Sequence, residues 1–107
     1  MFFVVLATDA PEAAEMRSEI HPIHRAYLSN PCNHRVKVHV AGPTLTTQGK
    51  AMNGTLLIVE ADDIAAVSDF VSDDPYAQAG VFKSVEIRPW EWTLGAPAST
   101  IIAESLN

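Results

Sequence analysis

Ser72-Asp73-Asp74-Pro75-Tyr76-Ala77-Gln78-Ala79-Gly80-Val81-Phe82 is the densest run of specific residues in the chain, and a strand pattern follows it to Trp92. Pro75 disfavours helical backbone angles at Asp74. The preceding helix should therefore end near Asp73, leaving Asp74 at a rigid junction. Such a position suits a functional carboxylate, and it equally suits an ordinary helix stop. Residues 81–92 read as the last strand. Val85 and Ile87 share one face; Phe82, Glu86, Arg88, Trp90 and Trp92 share the other.

Working outward, residues 62–73 carry an acidic cap at Asp62 or Asp63 and an apolar face of Ile64, Val67, Phe70 and Val71, which predicts a helix. Residues 54–61 read as a strand that is apolar on both faces. Residues 44–53 read as a polar loop, and Gly42-Pro43 should end the strand at residues 35–41, where Val36, Val38 and Val40 alternate with Arg35, Lys37 and His39. Asn30-Pro31-Cys32-Asn33 is a turn. Before it, Met16, Ile20, Ile23 and Tyr27 recur at helical spacing and predict a buried stripe. A more polar stripe of Arg17, His21, His24 and Leu28 lies alongside. Asp9 is the expected cap of this helix, with Glu12 at the capping-box position, and Pro22 predicts a kink near His21. Residues 2–8 form a first strand, apolar on both faces and so expected at the centre of a sheet.

The order is β-α-β-β-α-β, an α+β arrangement of ferredoxin-like type. Two helices cover only one face of a four-stranded sheet. The second face is apolar here and carries two tryptophans, so something must cover it. A second copy of the same sheet, giving a homodimer, is the simplest cover. Residues 93–107 hold Gly, Pro and small residues and a short apolar patch at Ile101-Ile102-Ala103. They read as a tail after a domain at residues 1–92, a tail able to dock on a partner subunit.

Bulk properties narrow the function classes. A chain of 107 residues makes one domain. A net charge of -6 without any basic run disfavours nucleic acid and anionic membranes as partners. No window is long and apolar enough for a bilayer, and the first residues lack the features of a signal peptide. The single cysteine, Cys32, leaves no intrachain disulfide and no multi-cysteine zinc site, which suits the cytoplasm. Cys32 has no base near it in sequence to make it a nucleophile.

Several blocks together resemble the YciI-like (YCII-related) family: Arg17 with His24, Ala41-Gly42-Pro43, Gly54-Thr55, Asp74-Pro75-Tyr76, Ala79-Gly80-Val81 and Ile87-Arg88-Pro89-Trp90. The resemblance covers residues 1 to about 92. It implies a ferredoxin-like fold assembled as a dimeric α+β barrel, and an active site where the helix-one histidine meets the aspartate of the Asp-Pro-Tyr turn. Carried over, these are His24 and Asp74. His21 departs from the Arg often found before the helix proline, and Thr55 replaces the more usual Ser.

The candidate chemistry follows from residue types. A carboxylate bound to one imidazole nitrogen fixes the tautomer and makes the other nitrogen more basic, which makes a general base. The competing reading of His24 and Asp74 is a structural tie between two elements. Arg17 could bind a substrate carboxylate, Thr55 could donate to a substrate oxygen, His21 could help bind substrate, and Tyr76 could supply a hydroxyl at the site mouth. Their plain readings are a surface ion pair, a strand start, a helix bend and packing. His21, His24 and Asp74 could in principle ligate a metal, but Pro22 distorts the spacing and no metal is expected. His34 is expected to be solvated and His39 to lie on the second sheet face. The expected function is cofactor-free acid-base chemistry, of isomerase or lyase type, on a small polar substrate. The alternative is a non-catalytic dimer that binds a small ligand or another protein.

Overall fold

The computed structural model describes residues 1–31 and 34–97. Their order is β1 (Phe2–Asp9), α1 (Ala14–Ser29), β2 (Val36–Leu45), β3 (Met52–Ala61), α2 (Ile64–Ser72), α3 (Pro75–Gln78) and β4 (Phe82–Trp90). The strands form one antiparallel sheet in the order β2-β3-β1-β4. This is the expected ferredoxin-like order, with a single helical turn, α3, set into the Asp-Pro-Tyr segment. The two most apolar strands take the centre. Phe3, Val5 and Ala7 of β1 and Leu57, Val59 and Ala61 of β3 face the helices and are buried, and Val67 and Phe70 of α2 close over them. Burial of each large side chain here contributes about 1.5–3 kcal/mol. No described helix is long and apolar enough to cross a membrane.

Helix α1 differs from expectation in two ways. It starts at Ala14, with Ala13 at the cap position and no side-chain cap. Asp9 does not cap it; it ends β1. Glu12 adopts a left-handed φ of 63°, which breaks the expected first turn. The buried stripe is also the other one. Met16 is 41% and Ile23 57% exposed, whereas Arg17 and His24 are buried. The polar stripe turns inward because each of its two buried members finds a charged partner there. Tyr27 does pack inward, stacked on Phe70 and donating its hydroxyl to the Phe70 carbonyl (2.6 Å). The helix runs as one element through Pro22.

Strand β2 passes through Gly42-Pro43 instead of ending there, and it meets β3 in a hairpin whose strands reach Leu45 and Met52. Pro43 is tolerated because β2 is an edge strand, where a missing N–H breaks no inner ladder. An irregularity between Val38 and Val40 sets Val40 opposite Ile58, off the face that Val38 shares with Val59. His39 lies on the second face as expected. Its Nε2 meets Glu60 Oε1 at 2.7 Å, and its ring packs edgewise on Phe2 and Trp92. His34, expected in solvent, instead meets Asp73 Oδ2 at 2.9 Å and packs against Tyr27 and Phe70.

Among the described residues, no element covers the second sheet face. Leu6, Val40 and Trp90 on it are 41%, 43% and 39% exposed. Cys32 and most of the proposed tail, with its Ile101-Ile102-Ala103 patch, lie outside the described residues.

Candidate active site

Asp74 is the joint of the site. It caps α3 by accepting from the Tyr76 backbone N–H through Oδ1 (2.9 Å). The same oxygen lies 2.8 Å from His24 Nδ1 on α1. Asp74 is 2% and His24 5% exposed, so the contact is a buried one. The sequence offers Asp74 as a helix stop or a functional carboxylate; in the structure it starts the short helix α3, through the same oxygen that meets His24. An ionised carboxylate accepts only, so Nδ1 must donate, and the neutral imidazole keeps its lone pair on Nε2. Among the described residues Nε2 has no hydrogen-bond partner, and His24 lines a cavity of about 360 Å³.

Tyr76 lies under this pair. Its ring stacks on the His24 imidazole at 3.8 Å and 18°, and Phe82 meets it edgewise. Gly80, at φ 79°, turns the chain back so that the Val81 N–H reaches the Tyr76 carbonyl (2.9 Å). Tyr76 is fully buried, so it forms the floor of the site and not its mouth. Its hydroxyl is buried with no hydrogen-bond partner among the described residues. Burial pushes its pKa up from 10.0. The Arg17 guanidinium, over the ring face at 4.7 Å from the centroid, opposes that rise.

Arg17 is an anchor within the protein. Nε and Nη2 donate to the two Asp9 oxygens (2.8 and 3.2 Å), and Nη2 also donates to the Gly54 carbonyl (2.7 Å) and to Thr55 Oγ1 (2.6 Å). Its charge is neutralised by Asp9. The guanidinium expected to bind a substrate carboxylate is thus already paired within the protein. Thr55 is buried at the cavity wall, accepting from Arg17 and retaining its own O–H to donate.

The structure thus brings together five sequence candidates, Arg17, His24, Thr55, Asp74 and Tyr76, in one connected cluster. His21 is exposed and makes no contact with that cluster by hydrogen bond, but it lines the cavity. No group of three His, Cys, Asp or Glu side chains suited to a metal is gathered among the described residues. Asp9 and Arg25 escaped the sequence reading. Asp9 looked like a helix cap, and only the fold shows it beside Arg17. Arg25 lines the cavity next to His24 in sequence, and its adjacency to a candidate base was the signal available.

Comparison with known proteins places this geometry in context. Residues 1–91 match the YCII-related domain. The chain is 25% identical over 95 residues to an uncharacterized protein of Haemophilus influenzae, covering 85% of this chain and 97% of that one. It is 26% identical over 96 residues to protein YciI of Escherichia coli, with the same coverage. Among solved structures it is similar to the 5-chloro-2-hydroxyhydroquinone dehydrochlorinase of Burkholderia phenoliruptrix in complex with 2,5-dihydroxybenzoquinone. That match has a TM-score of 0.72 and 33% identity, and covers 85% of this chain and 94% of that one. With the fold, the ordered blocks and a domain match spanning all four strands in agreement, the chain belongs to the YCII-related family.

Proposed function

We propose that this protein is a small cofactor-free enzyme in which His24 acts as general base, oriented by Asp74, on a small polar organic substrate. The observation that carries the reading is the buried 2.8 Å contact from His24 Nδ1 to Asp74, in a histidine that lines a cavity and whose Nε2 has no hydrogen-bond partner among the described residues. Nε2 takes a proton from a carbon or hydroxyl next to a carbonyl. The electron pair left behind either takes the proton back from the imidazolium at another carbon, which is isomerisation, or expels an anionic leaving group, which is elimination. Neither route needs an oxidant. The imidazolium formed is held between the Asp74 carboxylate and the face of Tyr76, two groups that favour positive charge. Thr55 supplies a hydroxyl donor for a substrate oxygen, and Arg17 holds Thr55 in place. Dehydrochlorination, the activity named for the structural relative, is an elimination of this kind.

The open sheet face supports a second part of the reading, that two copies pair through it as a homodimer.

The test is turnover of hydroxylated and chlorinated ring compounds, beginning with 5-chloro-2-hydroxyhydroquinone, followed by chloride release and by C–H exchange in deuterated water. His24→Ala and Asp74→Asn should each lower the rate by about 10²–10⁴-fold, the usual scale of general acid–base catalysis, with circular dichroism unchanged. Wild-type rates in both folded variants would overturn the reading. So would a wild-type rate no higher than that of His24→Ala across the series.

A further inference from the structure

We infer that the cavity beside His24 takes an anionic ligand, and that Arg25 selects it by charge. This rests on reading that cavity as the substrate site. The chain carries 13 acidic and 7 basic side chains, yet the cavity reverses the balance. Its ionisable walls are Arg17, His21, His24, Arg25 and Tyr76, without a single carboxylate among the described residues. The adjoining cavity of about 370 Å³, which shares Arg17, His21 and Tyr76, has none either.

The pairing of these groups assigns their roles. Arg17 is neutralised by Asp9, and Asp74 stands behind His24. Both acids are at least nine-tenths buried, screened from the cavity by their basic partners. A ligand therefore meets the basic side of each pair. Arg25 differs from both. Its guanidinium has no hydrogen-bond or ion-pair partner among the described residues, and it is exposed at the cavity wall. His21, one turn earlier on α1, is likewise unpartnered and on the same side. These two are the donors left for a ligand, and Arg25 is the one that carries a permanent charge. An Arg fork recognises a carboxylate, or the delocalised oxygens of an ionised hydroxyquinone, better than a neutral carbonyl. Ala41, Pro43 and Met52 also line the cavity; they are apolar and suit the carbon frame of such a molecule. A ligand anchored by Arg25 while His24 takes its proton would be a small organic acid or an ionised ring hydroxyl.

The experiment is calorimetric titration with two probes of one ring type, 2,5-dihydroxybenzoquinone as its anion and the neutral 2,5-dimethoxybenzoquinone. Wild type, Arg25→Gln, Arg25→Glu and His24→Ala are compared at low and high salt. Wild type should prefer the anion. Arg25→Gln should weaken the anion by about three- to tenfold, as expected on losing one partly exposed charge-assisted bond, and leave the ether unchanged. Arg25→Glu should weaken the anion further, and salt should narrow the preference. Equal affinity for both probes, an Arg25→Gln variant that binds the anion as wild type does, or no binding of the anion at millimolar concentration would each overturn the inference. Turnover keeps the two claims apart. If His24→Ala retains full turnover while the Arg25-dependent preference persists, the acid-base reading fails and the charge selection stands.

Discussion

Asp74 Oδ1 accepts from both the Tyr76 backbone and His24 Nδ1, so one residue sets the helix turn and the imidazole together. The helix stop before Asp74 was readable at the residue scale, because the following Pro75 disfavours helical angles there. The partner was not, because His24 lies fifty positions away in sequence and only the fold brings it near. Tyr76 shows the same limit: its type suggested a hydroxyl for the site, but nothing in the sequence distinguishes floor from mouth. Its unsatisfied hydroxyl yields a prediction. Tyr76→Phe removes a buried polar atom that has no partner, and so should stabilise the fold by about 1 kcal/mol in chemical denaturation. The sign with pH also follows. Because the folded-state pKa lies above 10.0, the phenol's contribution is present in full below pH 10.0 and is lost as pH rises towards the folded value. Alkaline unfolding should therefore be less steep in Tyr76→Phe than in wild type.

At the scale of elements, β4, β3 and α2 were read nearly as they stand because local signals agree there. The Asp63 cap is an example: its carboxylate accepts from the Ala66 N–H at 2.9 Å. Helix α1 was misread because the stripe rule assumes that apolar residues go inward. Here Arg17 and His24 are buried with charged partners from other elements, and Met16 and Ile23 are left outside. The end of β2 was misread because Gly-Pro usually stops a strand, and an edge position lifts that rule. Gly54 links these elements. A side-chain carbon there would stand 2.2 Å from the Ala7 carbonyl oxygen and 2.7 Å from Thr44 Oγ1, and the Gly54 carbonyl accepts from Arg17. Gly54→Ala should therefore cost about 2–3 kcal/mol, at the upper end for overpacking against backbone. It should also lower turnover, since forcing β1 from β3 displaces Thr55. Wild-type stability and activity in this variant would show that the strand contact is slack.

At the scale of the whole molecule, the sequence foretold an uncovered apolar sheet face because strands apolar on both sides outnumber what two helices can cover. Leu6, Val40 and Trp90 bear that out. What covers the face is not written in a single copy's sequence pattern. If two copies pair there, sedimentation should give a dimer, and Leu6→Asp, which sets a charge in the middle of the face, should give a folded monomer. A wild-type chain that sediments as a monomer at micromolar concentration would contradict the pairing.

The central claim is that Asp74 holds His24 with its lone pair on Nε2, facing the cavity. Nitrogen-15 NMR of the four imidazoles at neutral pH, in wild type and Asp74→Asn, reads this directly. The account predicts that His24 is a single tautomer with its proton on Nδ1, and that the mutation relaxes it to a mixture. A proton on Nε2, or a His24 signal indifferent to the mutation, would contradict it.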